Sequence, residues 1–327
     1  MSDSAGWSLT ESDPGIFTGL LHDLGVRGLE VEELWGLDAD LLAQLAPVHA
    51  LIFLFKWIGG GNDKMDGAFD EPEGQHYFAH QVINNACASI ALLNATLNIQ
   101  DNNVELGEEL TNLQAFSEGL DPQTRGEIIT NSQKIREVHN SFARSDPFHL
   151  EDNQPQAESE DAYHFITFLP IKGQLFELDG LKQRPVSHGK IPEGSNWTDL
   201  AREVLERRIA SHPPGEVMFN LLAITSRLAS LRSTISRLET KPAEERTAPE
   251  NFELNDAKVQ VMEIDARMKD WEVENTLRRH NYIGLVHAML AEFAKTGQLQ
   301  ARVTDAKATM KRKIEERRAK GIAMDED

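Results

Sequence analysis

The chain has 327 residues, 40% of them apolar, and carries 33 Lys and Arg against 53 Asp and Glu, a net charge of −20 at neutral pH. That length predicts one catalytic-sized core with a smaller appendage, and that charge excludes general affinity for nucleic acid or anionic lipid while favouring basic protein surfaces as partners. The longest candidate for a spanning run, the bulky apolar stretch Leu51–Phe55, is far too short to cross a bilayer, so no membrane association is expected.

In chain order, Asp13 and Pro14 open a helix whose apolar stripe is Ile16, Phe17, Leu20, Leu21 and Leu24, with Gly25 at its exit. The start before it, MSDSAGWSLTESD, has neither the basic flank nor the apolar centre of a signal peptide. ALIFLF at 50–55 reads as a strand covered on both faces, and 59–74 as a polar loop. From Asn84 to Leu97 apolar residues fall on nearly every side, which predicts a helix buried at a domain centre with Cys87 in its first turn. Helical patterns follow through Leu106, Leu110, Leu113 and Phe116, and through Ile135, Val138 and Phe142 behind Ser132 as cap.

The acidic stretch 145–161 has no period and reads as a long loop. Strands are expected at 162–169, 174–179 and 216–224, then a helix over 225–238. KPAEERTAPEN, 241–251, reads as a linker. These features divide the chain into a domain of residues 1–240, the linker, and a helical C-terminal domain, 252–327, broken at Gly297. The run 302–320 of that last part is net basic, against the sign of the whole.

A single cysteine excludes an internal disulfide framework and points to a reducing compartment, cytosol or nucleus. Free cysteines are ordinarily buried packing residues. Cys87 differs in standing where the unpaired N–H groups and positive dipole end of a helix favour its thiolate. If PIKG (170–173) is a four-residue hairpin loop, Leu169 faces Gln174 and His164 faces Asp179, within reach of an imidazole–carboxylate hydrogen bond. A nucleophile, a base and a residue that orients the base are the parts of a thiol hydrolase. Gln81, too far upstream to cap the helix as Asn84 or Asn85 could, is the candidate oxyanion donor with the Cys87 N–H. No His/Cys/Asp cluster has ligand spacing, so neither metal nor cofactor is expected.

FAHQVINNACASIALL (78–93) and AYHFITFLPIKGQLFELDGL (162–181) resemble the ubiquitin carboxyl-terminal hydrolase family, and its long, proteasome-associated branch in particular. ESDPGIF (11–17), VEELW (31–35), PVHALIFLFKW (47–57) and VHNSFARSDPF (138–148) are similar to the same branch, so the likeness spans most of residues 6–225. It implies an α+β, papain-like fold, an antiparallel sheet between helices with a knotted chain path, followed by an all-helical extension.

The resemblance further implies Cys87 as nucleophile, His164 as base, Asp179 as its orienter and Gln81 in the oxyanion hole, acting on bonds after ubiquitin's terminal glycine. Many members carry glycine after the nucleophile; Ala88 stands here. The loop 145–161 falls where the family has a crossover loop, and its acidity suits the basic surface around ubiquitin's tail. ENTLRRHNYIGLV (274–286) resembles the extension that docks on a proteasomal ubiquitin receptor, with Trp271, Tyr282 and Phe293 as anchor-type residues. Two rivals stay open: an idle ubiquitin-binding adaptor, and another Cys-His-Asp amidase.

Overall fold

The structure, a computed structural model, describes residues 6–56, 67–69, 76–143, 163–210, 219–280, 282–297 and 299–319. The expected loops 145–161 and, apart from 67–69, 59–74 lie outside them. In the order of the chain come α1 (Pro14–Asp23), β1 (Glu30–Glu33), α2 (Ala39–Gln44), β2 (Val48–Lys56) and β3 (Ala68–Phe69), then α3 (Cys87–Thr96), α4 (Gly107–Phe116), α5 (Pro122–Asn131) and α6 (Gln133–Ser141). After these follow β4 (Tyr163–Ile171), β5 (Gln174–Leu178), β6 (Val186–Lys190), α7 (Trp197–Ala210), β7 (Phe219–Thr225), α8 (Arg227–Glu239), α9 (Ala248–Arg279), α10 (Ile283–Lys295) and α11 (Leu299–Ala319).

Local chemistry explains the main elements. The Asp13 carboxylate accepts the Ile16 N–H at 2.9 Å and Pro14 fills the first turn of α1, as capping rules require. Ser132 caps α6 through the Ile135 N–H. The seven strands form one sheet in the order β1-β7-β2-β4-β5-β6-β3, and every pairing is antiparallel.

Alternation along the central strands sends side chains into two cores. Ala50 and Ile52 of β2, with Phe165 and Leu169 of β4, meet Ile90 and Leu93 of α3 and Phe17 and Leu20 of α1. Leu51, Phe53, Phe55, Ile166 and Phe168 meet Ala201, Val204 and Leu205 of α7 on the opposite face. The sheet therefore lies between helices, as the α+β expectation had it. Every residue of α3 is buried, which is why its sequence shows no polar face.

Contacts divide the chain into two compact units, with the change between Arg279 and His280. The expected linker is shorter than 241–251, since α9 begins at Ala248. Helices α8 and α9 run antiparallel, tied by Arg232–Asp265 and Lys258–Glu239 at 2.7 Å each. Asn275 then donates to the Gly15 carbonyl at 2.9 Å and Arg278 pairs with Asp13 at 3.0 Å. Residues 252–279 thus pack with the sheet-bearing unit and not with a separate C-terminal domain. Trp271, expected as an anchor for a partner, is half-buried on α9 under the Arg267 guanidinium.

The smaller unit holds α10 and α11, parted at Gly297 as expected. A further helix boundary, which Gly297 does not supply, separates the end of α9 at Arg279 from the start of α10 at Ile283. Among the described residues no helix is long and apolar enough to cross a membrane.

Candidate active site

Cys87 opens α3 directly after a short 3-10 turn, Asn84–Ala86. Neither Asn84 nor Asn85 caps α3 with its side chain, which corrects the capping expectation. Asn85 donates instead to the Trp7 carbonyl at 2.9 Å, and the Asn84 carbonyl accepts from Gln81 Nε2 at 2.7 Å. The backbone N–H groups of Ala88, Cys87 and Phe165 favour the thiolate, as the helix start predicts, but burial outweighs them and pushes the thiol up to about 11. In the free chain the nucleophile is therefore a protonated thiol that needs a base.

That base is at hand on β4, where the thiol meets Phe165 and the neighbouring residue is His164. His164 Nε2 donates to Asp179 Oδ1 at 2.6 Å, with both side chains almost wholly buried. Nε2 is thereby occupied, which fixes Nδ1 as the acceptor nitrogen of a neutral ring. No thiol–imidazole hydrogen bond is present among the described residues; such bonds commonly tighten only when substrate is bound.

The pairing of His164 with Asp179 is as expected, but its register is not. The turn is the two-residue Lys172-Gly173, with φ of +49° and +78°, the conformation of a type I′ hairpin. Ile171 consequently faces Gln174 and Thr167 faces Leu178. Continued by one residue, that register sets Asp179 opposite Ile166, two along from His164. A shift of two preserves the face, and a diagonal neighbour lies within reach of a long side chain. The turn reading of Leu-Asp-Gly holds as well, because Asp179 Oδ1 also accepts the Leu181 N–H at 2.9 Å.

Gln81 is drawn to the same place through its backbone, whose N–H donates to the Gly180 carbonyl at 2.9 Å. A Cβ on Gly180 would lie 3.0 Å from that nitrogen and 3.0 Å from Ile90 Cγ2, so only glycine fits without displacing them. One of the two Nε2 hydrogens is engaged with Asn84, and the buried Oε1 has no partner among the described residues. The second hydrogen is the donor available to an oxyanion.

Other positioning residues went unread in the sequence. Asn94 in the last turn of α3 and Asn98 just past its end each grip a backbone residue of the segment leading to Gln81. Asn94 bonds both Ala79 N–H and carbonyl (2.8 and 3.1 Å), and Asn98 does the same at Tyr77 (2.8 and 2.7 Å). His139 donates from Nε2 to the Ser8 carbonyl at 2.8 Å, which leaves Nδ1 to accept from Ser89, also at 2.8 Å. The available signal was asparagine inside a helix otherwise buried all round.

The pattern described as "Ubiquitin carboxyl-terminal hydrolase, family 1" matches residues 7–210, and that of "Ubiquitin carboxyl-terminal hydrolases" matches 254–299. This chain belongs to the ubiquitin carboxyl-terminal hydrolase family. Among its relatives in that family, ubh-4 of Caenorhabditis elegans is 39% identical over 318 residues, covering 96% of this chain and 95% of that one. Ubiquitin carboxyl-terminal hydrolase 2 of Schizosaccharomyces pombe is 40% identical over 85% of this chain and 88% of that one. The crystal structure of Trichinella spiralis UCH37 bound to ubiquitin vinyl methyl ester superposes with a TM-score of 0.65 at 34% identity, over 81% of this chain and 99% of that one. The chain is thus a cysteine peptidase of the ubiquitin carboxyl-terminal hydrolase type, as the motifs implied.

For this hydrolase the raised thiol has a measurable consequence. Alkylation of Cys87 in the free protein by a small neutral reagent is expected to be slow at pH 7 and to keep climbing through about pH 11, where half of the thiol is ionised. A rate that levels off below pH 8 would show a preformed ion pair instead.

Proposed function

We propose that Cys87, His164, Asp179 and Gln81 carry out hydrolysis after the C-terminal glycine of ubiquitin. The observation that supports these roles best is the buried 2.6 Å bond from His164 Nε2 to Asp179, which holds Nδ1 as the acceptor for the neighbouring thiol. Sγ of Cys87 attacks the glycine carbonyl carbon while His164 Nδ1 takes the thiol proton. The oxyanion is held by the Cys87 N–H and Gln81 Nε2. As the carbon–nitrogen bond breaks, the imidazolium protonates the leaving amine and a thioester remains. Water, losing a proton to His164, then attacks the thioester; ubiquitin leaves as a carboxylate and the thiol is restored.

The test is a ubiquitin bearing a C-terminal electrophile, followed by peptide mass mapping. Covalent capture at Cys87 supports the assignment. Tight binding without capture would indicate an idle adaptor, and no recognition of ubiquitin would indicate another amidase. Gln81→Ala is expected to lower kcat by about 10²–10³, the scale of one oxyanion donor, with KM little changed.

A partner for the smaller unit is part of the same proposal. On α10 the side chains of Ile283, Leu285, Val286, Met289 and Leu290 are all exposed, with Tyr282 and Phe293 beside them. We assign this face to docking on a proteasomal ubiquitin receptor, and the working place to cytosol and nucleus, where a lone cysteine stays reduced. Met289→Glu with Leu290→Glu is expected to abolish a pull-down by the receptor and to leave hydrolysis of a small ubiquitin adduct intact. Undiminished pull-down would remove α10 from the interface.

A further inference from the structure

We propose that Glu177, with Lys182 and Arg208, is a positioning device that sets the acid, the imidazole and the oxyanion glutamine of the active site in one arrangement. Glu177 is buried on β5, and its polar partners are residues other than Cys87, His164, Asp179 and Gln81. Its Oε1 accepts from Lys182 Nζ at 2.6 Å and from Arg208 Nη1 at 3.1 Å, and its Oε2 accepts from His188 Nε2 at 3.1 Å. These donors come from the segment after β5, from α7 and from β6. Despite burial, the three hold the carboxyl down at about 2, so it stays ionised throughout the working range.

The placement of this cluster gives it a role beyond cohesion. Glu177 precedes Asp179 by two residues and Lys182 follows it by three, so their contact closes a staple over the turn that carries the acid. Within the staple, the Lys182 N–H donates to the Asp179 carbonyl at 2.9 Å, and Asp179 Oδ1 receives both Leu181 N–H and His164. The Gly180 carbonyl, also inside it, receives Gln81 N–H. A second branch reaches the imidazole from behind. The Arg208 guanidinium lies 4.7 Å from the centre of the Phe55 ring, and Phe55 meets His164 edge to face at 5.9 Å.

Buried ion clusters often add little net stability, because desolvation offsets their attraction. A cluster of that kind beside a catalytic turn is better explained by the geometry it fixes. Apart from the Lys182 N–H on the Asp179 carbonyl, its described contacts reach Asp179, His164 and Gln81 through intermediates, so its members act as positioning residues, comparable to the outer partners of a metal ligand.

The inference rests on the catalytic roles proposed above, and the experiment separates the two. Lys182→Met opens the staple while keeping an unbranched stem, and Lys182→Arg restores a cation. Rates are measured with ubiquitin carrying a fluorogenic C-terminal amide and divided by the sites that a ubiquitin electrophile titrates, which removes any loss of folded protein from the comparison. Lys182→Met is expected to lower kcat per site by about 10–100-fold with KM nearly constant, and Lys182→Arg to recover most of it. The acid limb of kcat/KM is expected to move to lower pH, because a loosened Asp179 stabilises the imidazolium less. Glu177→Gln is expected to reproduce both changes.

Unchanged kcat per site in Lys182→Met and Glu177→Gln, whether or not their melting temperatures fall, would overturn the positioning role. Cys87→Ala assayed in parallel guards the foundation. Turnover surviving in Cys87→Ala overturns the catalytic roles themselves, whereas a dead Cys87→Ala beside wild-type staple variants overturns the staple alone.

Discussion

Cys87→Ala is expected to remove hydrolysis of ubiquitin adducts, by about 10⁴-fold or more, while the protein remains folded and still binds ubiquitin. Loss of the nucleophile deletes the covalent route, and the oxyanion donors alone recover only a small part of the rate. The fold bears the change lightly, since a single buried sulfur is replaced in a helix whose other nine residues stay packed. A cost of about 1 kcal/mol is expected, a shift of roughly 2–4 °C in the melting temperature of a unit this size. The measurements are turnover of a fluorogenic ubiquitin amide, thermal unfolding, and ubiquitin binding by titration calorimetry. Substantial residual turnover would displace Cys87 from the nucleophile's place.

Asp179→Asn is expected to lower kcat by between about 10² and 10⁴ with the hairpin intact. The carboxylate accepts two N–H groups through one oxygen, from His164 and from Leu181. An amide oxygen still serves the Leu181 N–H but no longer stabilises the imidazolium, and its NH₂ can turn the ring to the tautomer that donates where it should accept. The turn stays stapled by Lys182 and Glu177, so the melting temperature is expected to move far less than the rate. Wild-type kcat in Asp179→Asn would separate the 2.6 Å bond from catalysis.

What was legible in the sequence depended on periodicity and burial. Helix α3 announced itself because it is buried on all sides, and β2 because two cores claim its alternate residues. Strand β1 escaped because its four residues, EVEE, put carboxylates where a strand pattern asks for apolar side chains. Glu30 accepts the Leu228 N–H at the start of α8, and Glu32 pairs with Arg267, so those charges are absorbed by partners far along the chain. Burial pushes the Glu30 carboxyl up to about 7. Strand β3, two exposed residues long, offers no period at all.

The active-site residues were found by spacing and chemistry, while the way they are held was not. Pairing His164 with Asp179 survived an incorrect loop length because the error was an even number of residues. The dependence of α1 on α9 was invisible for a different reason. It rests on Asn275 reaching a main-chain carbonyl and on Arg278 reaching Asp13, single polar contacts across more than 250 residues that leave no local signature.

The two-residue turn between β4 and β5 also limits how this protein can vary. An insertion or deletion of one residue within Gln174–Asp179 would carry the carboxylate to the opposite face of the sheet and exchange Leu175 and Phe176 between the two cores. A deletion of two would keep the face but slide the carboxylate about 7 Å along the strand, to a place opposite Phe168 and away from His164. In lineages that keep the His–Asp pair, length should therefore be more rigid than identity across this segment, with indels displaced to the surrounding connections.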